Sequence, residues 1–254
     1  MESQLIKLLC YIMFMVGVIV FAILSFIPAV YGRYAGPKSW FGLGVNANVA
    51  WFFQESPSFF IPVVFWLLEF WRTGTLDLTQ TALASMFVFH YWQRTFLYSV
   101  LIRGGKATPI GICALAFTFC TVNGYIQIRS IQLKQFEDKW QKKPSVLLGI
   151  ISYLCGLAIN MHSDYILRNL RAPGETGYKI PKGGMFAYVT AANYFGEALE
   201  WLGFFLAVQT LAAAAFSFFT FANLFPRAVM HHRWYQQKYE DYPKNRKIMI
   251  PFIL

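Results

Sequence analysis

Apolar runs of about twenty residues recur along this chain, and that recurrence limits its fold more than any other feature. At 1.5 Å of rise per residue, about twenty helical residues cross the roughly 30 Å hydrocarbon core of a bilayer. Such runs cover about residues 6–30, 48–71, 79–102, 107–128 and 146–167. A further apolar segment extends from Thr190 to Val229, about forty residues, too long for one crossing. A turn is expected at Gln209, near its middle, which divides the segment in two. The chain reads as an all-α integral membrane protein with seven transmembrane helices. The first run, from about Ile6 to Val30, exceeds a signal-peptide core and ends in no small-residue cleavage pattern, so it is expected to remain as the first helix.

Composition agrees. With 57% hydrophobic and only 13% charged residues, the chain is too apolar for a soluble domain. The loops are too short for a second core, which predicts one domain over 1–254. A formal charge of +10 invites a nucleic-acid reading, yet the cations sit in short clusters between apolar runs, where they set membrane orientation. Placing the C-terminus in the cytoplasm puts 14 Lys and Arg inside and 7 outside, with Arg94 within a span. The excess of inside cations favours that orientation. Cys10, Cys113, Cys120 and Cys155 all lie in apolar runs without metal or redox spacing, so neither a disulfide framework nor a metal site is expected.

Two loops are long enough to carry function, 33–48 and 168–190. The second combines four glycines, two prolines and several cations, the composition of an anion-binding loop. Gly42, Gly44 and Ala47 match the spacing of a dinucleotide fingerprint, but an apolar span follows and no acidic residue stands about 20 positions on; this segment reads as a loop.

Polar residues inside the spans carry the functional argument, since each ionisable group there costs about 2.5–3.5 kcal/mol on insertion scales. The second span holds Gln54 and Glu55, with Pro57 expected to kink it. In the third, His90, Tyr91, Arg94 and Tyr98 recur at helical spacing, which places Tyr91, Arg94 and Tyr98 on one side. Asn160, Asp164 and Arg168 form a stripe in the fifth, and Asn193, Glu197 and Glu200 another in the sixth. His231, His232 and Tyr235 follow the seventh. One such group is as well explained by hydrogen bonds tying helices together. Four stripes predict an intramembrane cavity, suited to a proton-coupled transporter or an enzyme acting on a lipid-soluble substrate.

The stretches WFFQESPSF (51–59), HYWQRTFLYS (90–99), CTVNG (120–124), NMHSDYILRNLR (160–171), PGETGYKIPKGGMFAYVTAANY (173–194), GEALEW (196–201) and EDYPKNRKIMIPF (240–252) resemble the steroid 5α-reductases, in order, from Trp51 to the end. The resemblance implies NADPH-dependent reduction of the 4,5 carbon-carbon double bond of a 3-oxo-4-ene steroid. It divides the chain into a first span and loop (1–50), substrate-side helices (51–145) and cofactor-binding helices and loops (146–254). Carried over for NADPH are Arg103, Lys106, Asn160, Asp164, Arg171, Tyr178, Lys179, Asn193, Glu197, His231 and Tyr235. Trp51, Gln54 and Arg94 fall on the substrate side. A lysine at 179 offers a point charge where an arginine would offer a planar fork.

Hydride delivery to an enone pushes negative charge onto the ketone oxygen, which needs a donor. Tyr91 is assigned as that hydroxyl donor. Glu55 is assigned as a carboxyl that helps polarise the ketone or orients Tyr91. The alternative for Glu55 is a structural pair with Arg94. The implied partners are a steroid and the bilayer, without nucleic acid or metal. The membrane is that of the endoplasmic reticulum in a eukaryote or the cytoplasmic membrane in a bacterium. Rival readings are an enoyl or polyprenol reductase with the same cofactor cradle, an isoprenylcysteine-type methyltransferase, and a proton-coupled transporter. The last is disfavoured by the lack of an inverted repeat.

Overall fold

The computed structural model describes residues 1–29, 34, 41–137, 139–172, 175 and 177–254. Arg33 and Lys38, counted among the inside cations, lie outside the described residues. Long helices dominate: α1 (Glu2–Phe26), α2 (Ala47–Thr73), α3 (Leu78–Trp92), α5 (Ile110–Gln132), α6 (Pro144–Arg168), α7 (Ala192–Val208) and α8 (Leu211–Lys238). A π turn, Gln93–Tyr98, continues α3 into the single turn α4 (Ser99–Leu101). Among the described residues four helices, α1, α5, α6 and α8, are long and apolar enough to cross a membrane. The chain is thus an all-α membrane protein.

Helix ends follow local chemistry. The Asn46 side chain accepts from the amides of Asn48 and Val49, and Asp77 accepts from Gln80 N, each supplying an orphan donor at a helix start. Pro57 lies inside α2, which runs on to Thr73. The carbonyl of Phe53, which a proline cannot serve, accepts from Ser56 Oγ at 3.1 Å. Between α7 and α8, Gln209 adopts a left-handed conformation at φ 53°, and its Nε2 donates to Ser145 Oγ at 2.8 Å. Thr210 then caps α8. The break expected at Gln209 is where the chain turns.

Successive helices alternate in direction, as the contacts at the two ends show. At one end Arg129 pairs with Glu2 at 2.6 Å, Gln80 donates to Lys134 O at 3.2 Å, and Lys134 Nζ donates to Val208 O at 2.8 Å. At the other, Asn48 Nδ2 donates to Ser99 O at 2.6 Å, and Gly44–Val45 pairs antiparallel with Thr108–Pro109 as a two-residue ribbon. Gly44, part of the rejected dinucleotide match, belongs to that ribbon.

Exposure is inverted relative to a soluble protein. Leu8, Val18, Leu67, Leu148 and Ile151 are exposed, whereas Gln54, His90, Arg94, Asn123, Gln127, Asn160, Asp164 and Glu200 are buried. Lipid takes the first set and the bundle must satisfy the second. The α6–α7 seam is the tightest. A methyl group on Gly156 would meet Glu200 N at 2.3 Å, one on Gly203 would meet Tyr153 N at 2.3 Å, and Gly149 and Gly196 are blocked in the same way at 2.5 Å. In each helix the paired glycines are seven residues apart, so both face one seam and backbone packs on backbone.

Candidate functional site

The sequence's polar stripes meet at Arg94. Its Nη1 donates to Asp164 Oδ2 at 3.0 Å, joining the end of α3 to α6. Its guanidinium lies 4.0 Å from the centre of the Tyr98 ring and 4.9 Å from that of Trp51. Glu197 of α7 and Glu55 of α2 lie within electrostatic reach. One buried cation therefore gathers residues from α2, α6, α7 and its own turn.

A π turn carries Arg94 and Tyr98 at the end of the third span. An extra residue in the turn breaks the 3.6-residue spacing, a distortion common at functional sites. Arg94 and Tyr98 share a face, and Tyr91, whose hydroxyl oxygen accepts from Asn123 Nδ2 of α5 at 3.4 Å, lies like Arg94 within electrostatic reach of Glu55 and Glu197. Gln127 fixes that amide, donating to Asn123 Oδ1 at 3.0 Å and to Ala212 O at 2.9 Å. Glu55 is not the partner of Arg94. It is partly accessible, its Oε2 is 4.0 Å from Cys120 Sγ, and it lies within electrostatic reach of Tyr91. Gly124 permits this approach of α2 and α5, since a methyl group there would meet Pro57 O at 3.1 Å.

His90 and Glu200 form a second buried pair, Nδ1 to Oε1 at 2.7 Å, beside the rings of Tyr91 and Trp201. Sequence reasoning singled out both residues without pairing them. It missed Asn123 and Gln127, although two amides four residues apart in an apolar span were the available signal.

The remaining residues lie toward the α8 C-terminal end of the bundle. Asn160 Nδ2 donates to Asn193 O at 3.0 Å, while its Oδ1 is buried with no partner. Arg103 donates to Asn169 at 3.2 Å, and a side chain added at Gly104 would meet the Arg171 guanidinium at 3.6 Å, so the loops around Gly104 and Arg171 converge. Arg171 Nη1 also donates to Gly177 O at 3.3 Å. Lys179 is held by Glu175 at 2.5 Å, and the same carboxylate accepts from Ala172 N at 2.7 Å. Lys106 is exposed on the first of these loops. Tyr235 donates to Lys179 O at 3.3 Å, the backbone of Tyr178 is held by Tyr239, and His231 lies between Tyr34 at 2.9 Å and Tyr194 at 3.3 Å. Gln54 is buried beside Cys113.

This arrangement fits a dinucleotide. A phosphate needs cations, which Arg103, Lys106, Arg171 and Lys179 would bring; a carboxamide N–H needs a buried acceptor, which Asn160 Oδ1 is. Among the described residues no cluster of three or more His, Cys, Asp or Glu is placed to hold a metal ion.

Known proteins place the same residues in context. A family model described as 3-oxo-5-alpha-steroid 4-dehydrogenase matches residues 106–254. The 3-oxo-5-alpha-steroid 4-dehydrogenase 1 of Rattus norvegicus is 47% identical over 257 residues, covering 100% of this chain and 97% of the relative. The Mus musculus protein of the same name is 48% identical, covering 100% and 98%. The Homo sapiens 3-oxo-5-alpha-steroid 4-dehydrogenase 2 is 42% identical over 227 residues, covering 89% and 88%. Likeness at this level runs through both the Arg94 centre and the converging loops, and the chain belongs to the 3-oxo-5-alpha-steroid 4-dehydrogenase family.

Proposed function

We propose that the chain reduces the 4,5 double bond of a 3-oxo-4-ene steroid with NADPH, within a membrane that it crosses seven times with its C-terminus in the cytoplasm. In a eukaryotic cell that membrane is the endoplasmic reticulum's. What carries the reading is the convergence on Arg94 of polar groups from α2, α3, α6 and α7, in a chain alike over its whole length to steroid dehydrogenases.

When bound, the dinucleotide supplies the hydride, which goes to carbon 5. Arg171, Arg103, Lys106 and Lys179 hold its phosphates; Tyr178, His231 and Tyr235 line its path. Asn160, Asp164, Asn193 and Glu197 hold its nicotinamide and ribose end. The orphan Asn160 Oδ1 supports that placement.

Substrate residues act on the other side of Arg94. Asn123 donates to the Tyr91 oxygen, so the phenol's own hydrogen is left to be donated elsewhere. Tyr91 donates it to the steroid's 3-ketone oxygen, stabilising the enolate that forms as hydride adds. Carbon 4 then takes a proton from solvent, and the enolate returns to the ketone. Glu55, partly accessible beside Tyr91, joins in polarising the ketone. Trp51 and Gln54 border the steroid, while Arg94 spaces Trp51 and Tyr98 against Asp164.

Purified protein given NADPH with a 3-oxo-4-ene steroid, and separately with a linear enone, tests the reading. It requires steroid-dependent loss of NADPH absorbance and a 5α-reduced product. Reduction of the linear enone alone would replace steroid by a chain-like substrate.

A further inference from the structure

A charged group outside the proposed steroid and cofactor site remains to be explained, where α8 leaves the apolar stretch that ends near Val229. Arg246 is only 5% exposed, yet its Nε and Nη1 make no hydrogen bond. Its guanidinium stands 5.2 Å from the Tyr242 ring. The Tyr242 hydroxyl meets Thr190 Oγ1 at 2.6 Å, and Thr190 Oγ1 meets His232 Nδ1 at 2.6 Å. A buried guanidinium is costly to hold, Tyr242 partners it on one side, and its charge lies beside a cavity that brings it no carboxylate.

The surroundings say what acceptor. Arg246 lines a cavity of about 320 Å³ with His232, Lys244, Lys247, Ile253 and Leu254. Among the described residues, none of the three cations has a carboxylate within ion-pair distance. The walls are fixed: Lys247 N donates to Tyr188 O at 2.8 Å, Thr190 N donates to Lys247 O at 2.8 Å, and Met249 is buried against Ala191, Leu224 and Ala228. Beside this basic cavity Phe252 and Ile253 are each 76% exposed, and Tyr188 packs on Phe252 at 5.3 Å. Cations around an opening with bare aromatic and aliphatic side chains at its edge, at the level where a helix leaves hydrocarbon, match a phosphate that carries acyl chains.

We propose that this cavity binds the phosphate of an anionic phospholipid headgroup, with Arg246 at its base, Lys244 and Lys247 at its mouth, and Phe252 and Ile253 in the acyl boundary. The site adjoins the proposed cofactor residues, Tyr242 stacking on Tyr235 at 5.5 Å, but shares none of them and does not depend on the reaction assigned to them.

Thermal unfolding of the full chain in neutral detergent tests it, with short-chain phosphatidylserine, short-chain phosphatidylcholine or inorganic phosphate added, each with and without saturating NADPH. Phosphatidylserine raises the unfolding temperature with concentration, as a native-state ligand does. The other two leave it unchanged at the same concentration, and NADPH does not diminish the shift. In Lys244→Gln/Lys247→Gln, both exposed and so tolerant of change, the apparent lipid affinity falls roughly thirtyfold with NADPH affinity unaltered. Arg246→Gln loses the shift altogether if it folds; the lysine pair decides the matter if it does not. An equal shift from inorganic phosphate, an equal shift from phosphatidylcholine, competition by NADPH, or an unchanged response in the double variant each overturns the proposal.

Discussion

His90 Nδ1 lies 2.7 Å from Glu200 Oε1, and the two side chains are 3% and 0% exposed, so each is the other's hydrogen-bond partner in a place water does not reach. Removing one partner leaves the other buried and unsatisfied, which costs about 1–3 kcal/mol. Glu200→Leu is therefore expected to lower the unfolding temperature in detergent clearly. Glu200→Gln, which keeps an oxygen and a donor at the same place, is expected to lower it less. Equal losses in the two variants would mean that the bond itself contributes little.

Tyr91 and Glu55 are expected to act on turnover. Tyr91→Phe should lower the rate of steroid reduction by roughly a hundred- to a thousandfold, the usual effect of a lost oxyanion donor, with NADPH affinity nearly unchanged. Glu55→Gln should be milder than Glu55→Ala if the group works as a hydrogen-bond donor, and equally severe if it works ionised. Normal rates in Tyr91→Phe and Glu55→Ala would make the α2–α3 polar groups structural.

Arg171→Ala should act on binding instead. A charge-assisted contact to a phosphate is worth about ten- to a hundredfold in affinity, so NADPH titration should show a loss of that size in a folded variant. Unchanged affinity would remove the converging loops as the phosphate site.

The Glu175–Lys179 pair predicts a gain. Lys179 holds the Glu175 carboxyl below its ordinary value, so the pair is formed above the ordinary carboxyl range and is lost as pH falls through that lowered value. On the proposed function, the carboxylate at neutral pH competes with cofactor phosphate for Lys179. Glu175→Gln should tighten NADPH binding about two- to fivefold at neutral pH, with the advantage shrinking as the medium is acidified. Weaker binding in the variant would show that Glu175 organises the loop rather than competing for its cation.

Glycine at the α6–α7 seam should be indispensable. Gly156→Ala places a methyl 2.3 Å from the Glu200 amide nitrogen, where only backbone movement gives relief, at about 1–3 kcal/mol or more. Gly17→Ala meets a Phe218 ring carbon at 3.0 Å, which a side-chain shift relieves, and should cost less. Comparing the two unfolding temperatures checks the distinction.

Much of this was legible beforehand because a bilayer imposes simple demands on sequence. Helix length follows hydrocarbon thickness, and α2, α6 and the break at Gln209 lie within a few residues of where hydropathy puts them. The polar stripes marked the centre because lipid taxes every ionisable group. Partner choice was not legible: Arg94 had Glu55 and Asp164 as possible anions, and only the three-dimensional register selects Asp164. The π turn is invisible to a 3.6-residue template. The seven-residue glycine spacing was present in the sequence, but it gains meaning only when two helices bearing it are known to face each other.

That seam also bears on traffic. A steroid dissolved in the bilayer arrives sideways, through the wall of the bundle, and needs two neighbouring helices to part. Where backbone rests on backbone at four glycines, no side chain can swing aside to make a doorway. With α6 and α7 locked as one splint bearing Asn160, Asp164, Asn193 and Glu197, the proposed function requires its doorway in the opposite wall of the bundle.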